Sequence, residues 1–169
     1  KQAYTDELSS QHLDAYIDSL DGSKMFLTAA DIKEFQQYRT VMDDQLPEGN
    51  LDAGFAIFNR FQERLRTRLE SINENLPEII AAMDFTVDEY YELDTDDRDW
   101  ATAQPELDER WRKHLKNQVL SLRLAEKSAE EIPETLNRRY TNQLKRVEQY
   151  NHQDVFQIYA NALTELYDP

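Results

Sequence analysis

LDAGFAIFNRFQERLRTRLESINENL, residues 51–76, sets Leu51, Phe55, Phe58, Phe61, Leu65, Leu69, Ile72 and Leu76 three or four residues apart. That step puts every one of them on a single face of an α-helix, and no strand register reproduces it. The spacing predicts the longest helix of the chain, from about Leu51 to Asn75. Pro77 follows, and a proline inside a helix removes a backbone donor and crowds the preceding turn. It is expected to break or kink the helix and start a short turn through Met83.

Working outward, the same three- and four-residue rhythm recurs on both sides. Leu8, Leu13, Tyr16, Ile17 and Leu20 predict a first helix over about 6–20, with Gly22 supplying a left-handed stop after Asp21. Met25, Phe26 and Leu27 make a short buried connector. Thr28 then caps a second helix, reciprocated by Asp31 three residues on, with Ile32, Phe35 and Met42 as its apolar stripe. Pro47-Glu48-Gly49-Asn50 reads as a turn. Past Pro105, Leu107, Trp111, Leu115, Val119 (or Gln118) and Leu122 predict a helix to about Ala125. Ser128 and Glu131 repeat the capping signature. Pro133 argues for a brief turn there, then a helix to about Tyr150 burying Leu136, Tyr140, Leu144 and Val147. Asn151 with Asp154 caps a final helix carrying Val155, Phe156, Tyr159, Leu163 and Leu166.

Residues 84–104 break the rhythm. The stretch 84–99 holds eight acids and one arginine and has no clean helical face. It reads as an irregular crossing segment pinned by Phe85, Leu93 and Trp100. So long a stretch without regular structure is uncommon in a compact domain and often has a function. Tyr90, Tyr91 and Trp100 are its candidate interface residues. The expected fold is all-α: an irregular multi-helix bundle of about six to seven helices with one long non-helical acidic crossing segment.

Composition agrees. At 169 residues the chain fits one domain, and folding at this size buries roughly 70% of the unfolded surface. Two Trp, nine Tyr and seven Phe supply a core, and three glycines and five prolines are too few turn residues for many short strands. Net charge is −15. Residues 1–104 carry 9 Lys and Arg against 23 Asp and Glu, while residues 105–169 carry 10 against 11. Such acidity repels phosphate backbones, so nucleic acid is not an expected partner. No run approaches the roughly 18 apolar residues of a membrane span, and no signal peptide is visible; the chain opens in mid-pattern at Lys1-Gln2-Ala3-Tyr4.

Chemistry is sparse. Without cysteine there is no disulfide and no thiolate nucleophile or ligand. None of His12, His114 and His152 has an acid three residues before it, which a helical-bundle dimetal site needs, so no metal and no cofactor is expected. Glu148 and His152 are spaced for a surface ion pair or a cap. Asp94-Thr95-Asp96-Asp97-Arg98-Asp99 fails the EF-hand pattern, with Arg98 at the third ligand position and Asp99 in place of the glycine, and reads as a solvated acidic loop. No Gly-x-Ser-x-Gly or Ser-x-x-Lys occurs; Ser9, Ser10, Ser23 and Ser128 fall at helix edges or turns, where capping accounts for them. Arg110, Arg112, Lys113 and Lys116, and Arg138 with Arg139, face many acids and are expected in intramolecular ion pairs. By its own residues the chain has no catalytic site and is a helical structural or binding module.

Several strings, taken in order, resemble one family. Phe26-Leu27-Thr28-Ala29-Ala30-Asp31-Ile32 is similar to the Phe-Leu-x-x-Ser-Asp-Ile signature after the first helix of tail-specific proteases, the carboxyl-terminal processing peptidases. Met83-Asp84-Phe85-Thr86 followed by Leu93-Asp94 and Trp100 resembles their central irregular segment. Glu106-Leu107-Asp108-Glu109-Arg110-Trp111 and Val119-Leu120-Ser121-Leu122-Arg123-Leu124 resemble the next helix. Glu134-Thr135-Leu136-Asn137-Arg138-Arg139-Tyr140 and Asp154-Val155-Phe156-Gln157-Ile158-Tyr159 resemble the last two. Asp168-Pro169 looks like the start of the Asp-Pro-His-Thr motif that leads into a PDZ domain. Departures are Gly22, where many members have proline, and the acidic run Thr95-Asp96-Asp97-Arg98-Asp99.

The resemblance implies that residues 1–169 are a single N-terminal helical domain, ending where a PDZ domain begins. It implies a periplasmic serine endopeptidase of Gram-negative bacteria that acts on proteins with apolar C-terminal tails. A PDZ domain would gate access, and a serine–lysine pair in a later protease domain would cut, both beyond Pro169. The helical domain would be a scaffold positioning those domains and shaping substrate entry, in some species alongside a lipoprotein adaptor. The alternative is an autonomous helical adaptor that takes a partner helix or strand in a groove.

Overall fold

A computed structural model describes residues 5–168. The opening Lys1–Tyr4 and the closing Pro169, on which the sequence also drew, lie outside the described residues. Seven α-helices and two short 3₁₀ turns account for all the helical structure among them: α1 Asp6–Asp21, α2 Ala29–Phe35, α3 Met42–Gln45, α4 Asp52–Ala81, α5 Gln104–Leu124, α6 Glu131–Glu148 and α7 His152–Tyr167. The fold is all-α, and the acidic crossing lies between α4 and α5 without helix, as the broken periodicity indicates.

α4 is the mast. Phe58, Phe61, Leu65, Leu69, Ile72 and Leu76 of the expected face are buried, joined by Ile57, while Leu51 and Phe55 at its start are half-buried. α6 lies antiparallel along it: Gln62 Nε2 donates to the Val147 carbonyl at 3.2 Å, Arg66 pairs with Glu148 at 2.8 Å, and Asn73 Nδ2 donates to Thr141 Oγ1 at 3.2 Å. α1 packs on α7 and α4. Tyr16, wholly buried, donates its hydroxyl to the Gly54 carbonyl at 2.8 Å, and its ring meets Tyr159 edge-on. Gly54 is glycine for want of space, since a Cβ there would sit 3.0 Å from Tyr159 Cγ. α5 closes the core with Leu107, Trp111, Leu115, Val119 and Leu122; Val119, not Gln118, takes the inward position.

The three capping pairs form as spaced. Thr28 and Asp31, and Asn151 and Asp154, make complete capping boxes. Ser128 and Glu131 exchange bonds of 2.9 and 3.2 Å. Elsewhere tertiary packing overrides local expectation. Pro77 does not end α4, which continues to Ala81. Only about one turn lies beyond the proline, and Ile79 and Ile80 in it pack on the core, which offsets the lost backbone bond. Pro133 likewise sits within the first turn of α6, where the N–H it lacks would have no helical partner, and the brief turn comes ahead of it, at residues 129–130.

The second helix is not continuous. It stops at Phe35, tightens into a 3₁₀ turn over Gln36–Tyr38, and resumes at Met42. The break points Arg39 at α1, where its guanidinium meets Asp14 at 2.8 Å and Ser10 Oγ at 2.6 Å. Gly22 is right-handed, at φ −60, and the left-handed residue is Lys24, at φ 56. What turns the chain is the Asp21 carboxylate, which accepts from the N–H groups of Met25, Phe26 and Leu27 at 2.9, 3.1 and 2.8 Å.

Several side chains fall elsewhere than the sequence suggests. Leu93 pins nothing and is 83% exposed; the segment is held by Phe85, Trp100 and the fully buried Ala101. Phe156 faces solvent because the inward face of α7 runs through Val155, Tyr159 and Ala162, one residue out of step with it. Leu144, Leu163 and Leu166 are half-buried. Ser9 is buried within α1 and Ser10 serves Arg39, so capping does not account for either. Glu148 pairs with Arg66 rather than His152, whose ring lies against Phe55 at 4.9 Å. No helix among the described residues is long and apolar enough to cross a membrane.

Candidate functional site

The crossing segment, residues 82–103, is fastened to α5 through α5's own cations. Glu89 is the main clasp. It receives Arg112 Nη2 at 2.5 Å and Lys116 Nζ at 2.5 Å, and these two cations hold its carboxyl well below the usual range, at about 2. Lys116 also donates to the Asp84 carbonyl, and Arg123 lies over the Phe85 ring at 4.1 Å. At the far end Arg110 donates to the Asp99 carbonyl at 2.6 Å, and the Ala29 N–H donates to the Ala101 carbonyl at 2.8 Å. The ion pairs expected for Arg110, Arg112 and Lys116 are therefore made, to Glu106 and Glu109 as well as Glu89. Lys113, Arg138 and Arg139 form none among the described residues.

The three candidate interface residues have three different fates. Tyr90 stands 86% exposed. Trp100 packs partly on the core, with the Lys24 ammonium 5.4 Å from its ring centroid. Tyr91 turns inward and its phenolic oxygen lies 2.6 Å from His114 Nδ1. Tyr90 and Tyr91 thus diverge, and the structure does not gather the three into one patch. Instead Tyr90 joins Phe85, Val87, Lys113 and Leu120 around an apolar cleft of about 170 Å³ between the segment and α5. Val87, Tyr90 and Leu93 are exposed apolar side chains of the segment, 52%, 86% and 83% accessible. Between residues 87 and 94 no backbone N–H or C=O is hydrogen-bonded within the described residues.

On the other side of Tyr91 lies a broader cleft of about 750 Å³, bounded by the connector after α1, the crossing segment, α5 and α6. A polar chain crosses its floor. The Tyr140 hydroxyl donates to Gln118 Oε1 at 2.5 Å, which turns the amide nitrogen of Gln118 toward His114 Nε2, 3.0 Å away. With the Gln118 amide donating to Nε2, a neutral ring carries its proton on Nδ1, toward the Tyr91 oxygen, and Tyr91 itself lines the cleft. Burial, with help from Arg98, lowers the His114 pKa and agrees with the neutral form. This chain joins residues 23 and 22 positions apart, and nothing in local spacing announces it.

The remaining titratable groups are structural in their contacts. His12 is fully buried, with Nε2 2.7 Å from the Tyr159 carbonyl, and burial lowers its pKa. Asp31, equally buried, accepts from Arg60 at 2.7 Å and Arg64 at 3.0 Å while completing the α2 cap. No serine hydroxyl hydrogen-bonds to a lysine or histidine among the described residues, and no group of three or more metal-ligating side chains comes together there. In the loop Asp94–Asp99, Asp94 caps the Asp96 N–H, and Arg98 reaches back to the Ser23 carbonyl and Met25 sulfur.

Comparison with known proteins places this arrangement. Residues 1–169 match the family model described as the tail-specific protease N-terminal domain. The chain is 30% identical over 165 residues to a tail-specific protease of Haemophilus influenzae, covering 97% of this chain and 23% of that protein. It spans about a quarter of the length of that relative. The chain belongs to the tail-specific protease N-terminal domain family, as the order of its resembling strings implies.

Proposed function

We propose that this domain is the non-catalytic support of a periplasmic serine endopeptidase that acts on proteins through their apolar C-terminal tails. It positions the PDZ and protease domains of its parent chain and shapes substrate entry, while a serine–lysine pair elsewhere in the parent cuts. The observation that carries this reading is that Val87, Tyr90 and Leu93 are apolar and exposed on a stretch, residues 87–94, whose backbone groups have no partner among the described residues. Such a stretch favours contact with another surface. Beneath these residues the segment is tied to α5 through Glu89, Arg112 and Lys116.

The test uses the parent protein with Val87→Ser and Leu93→Ser together. Both side chains are exposed, so the melting curve of the isolated domain should move by less than about 0.5 kcal/mol equivalent. Tail-dependent proteolysis by the parent should nevertheless fall severalfold, and the isolated domain should cleave no unfolded substrate. Unchanged proteolysis by the doubly substituted parent, or peptidase activity that copurifies with the isolated domain, would count against the reading.

A further inference from the structure

We infer that the 750 Å³ cleft beside Tyr91 binds an acidic segment of a partner polypeptide, whose carboxylates are taken by the guanidinium groups of Arg98, Arg139 and Arg146. This goes beyond the support role proposed above and does not depend on it.

The charge pattern is the first argument. The chain has 34 acids and 19 Lys and Arg, and Arg39, Arg60, Arg64, Arg66, Arg68, Arg110 and Arg112 all find carboxylates. Arg98, Arg139 and Arg146 line one cleft, yet none of the three forms an ion pair among the described residues. In so acidic a molecule, three guanidinium groups without a carboxylate around one cavity, Arg98 holding only the Ser23 carbonyl and the Met25 sulfur, favour an incoming carboxylate. The one acid in the lining is Asp21. It is 3% exposed and its oxygens already accept three backbone N–H groups, so it does not neutralise the arginines.

The floor is the second. The chain of hydrogen bonds through Tyr140, Gln118, His114 and Tyr91 lines the same space. It holds the Tyr91 oxygen at the wall, so an arriving polar group meets a hydroxyl already in place. The third is the rest of the wall. Asn142 and Gln143 offer side-chain amides, and Leu93 and Met25 offer apolar surface. An inorganic anion would use neither, whereas a peptide uses both its backbone and its apolar side chains. The volume is that of a ligand-sized pocket rather than an ion site.

The experiment titrates the domain, at low ionic strength, with the peptide acetyl-Glu-Leu-Glu-Phe-Glu-amide. Calorimetry and the His114 ring resonances provide the readouts. Binding is expected, weakening as salt is raised, with the His114 and Tyr91 signals moving. The peptide with glutamine in place of glutamate should not bind. Arg139→Gln combined with Arg146→Gln should weaken binding by about tenfold or more, the scale of one charge-assisted hydrogen bond. Arg138→Gln, on the same helix and outside the cleft, should leave it unchanged. Equal binding of the glutamine peptide, equal effects of inorganic phosphate on the same resonances, or unchanged affinity in the double variant would each overturn the proposal. So would self-association that the double variant abolishes, because the occupant would then be a second copy.

Discussion

Trp111→Ala lowers the free energy of unfolding by about 3–5 kcal/mol, the range for removing a buried aromatic ring from a packed core. Trp111 is 4% exposed, and its ring meets Phe26, His114 and Tyr140 at centroid distances of 5.5, 5.3 and 6.0 Å. It joins α5 to α6 and to the connector after α1, so no single element can relax into the space it leaves. Its indole N–H also donates to the Met25 carbonyl at 2.6 Å, and alanine orphans that acceptor. Trp111→Phe separates the two effects: it keeps most of the ring contact and loses the bond, for about 1–2 kcal/mol. Urea unfolding measures both. A Trp111→Ala loss below about 1 kcal/mol would place the indole at a surface instead of in the core.

Asp31→Ala is expected to cost about 2–3 kcal/mol, combining a lost helix cap with lost bonds to charged donors. Asp31 is 1% exposed; it accepts from the Thr28 N–H, Arg60 and Arg64, and so ties α2 to the middle of α4. The cost stays below that of stranding a buried charge, because Arg60 keeps Glu34 at 2.8 Å and both arginines reach solvent. Burial alone would push the Asp31 carboxyl up, but Arg64, the Thr28 N–H and Arg60 together outweigh it and hold the pKa below the ordinary value. A carboxyl lowered on folding stabilises the native state above its unfolded pKa, near 3.9, and that contribution drains away as pH falls through the lower folded value. Wild type should therefore lose stability relative to Asp31→Ala on acidification below about pH 4. A constant difference between the two from pH 7 to pH 2 would mean that the carboxylate has no ionic part in the joint.

Local rules reached further into this fold than into its site. Three- and four-residue spacing gave the face of α4, and offsets of three gave the caps at Thr28, Ser128 and Asn151, because each depends on residues one helical turn apart. Pro77 and Gly22 misled for a shared reason: the decision there lies with distant partners, the core under Ile79 and Ile80 in one case and the Asp21 carboxylate in the other. Phe156 was misplaced by one step of the helix, a distinction that hydrophobicity alone does not make.

The crossing segment was legible as a break in rhythm, and its acidity was plain. What those acids do was not. Glu89 meets cations 23 and 27 residues away, Asp31 meets arginines 29 and 33 away, and Tyr91 meets a histidine 23 away. Only the fold brings such pairs together. Adjacent tyrosines at 90 and 91 were visible as a feature; that one stands in solvent and the other closes a polar chain was not. The unpaired state of Arg139 and Arg146 likewise emerges only when every carboxylate has been placed.

The most direct measurement of the proposed support role is hydrogen exchange at the amides of residues 87–94, compared between this domain alone and the same residues within a full-length protein that carries the proposed PDZ and protease domains. In the isolated domain these amides have no internal acceptor and should exchange near the rate of an unstructured chain. The proposed docking of further domains over Val87, Tyr90 and Leu93 predicts that they become protected there, while α4 amides exchange slowly in both. Identical fast exchange of residues 87–94 in the two settings would contradict it.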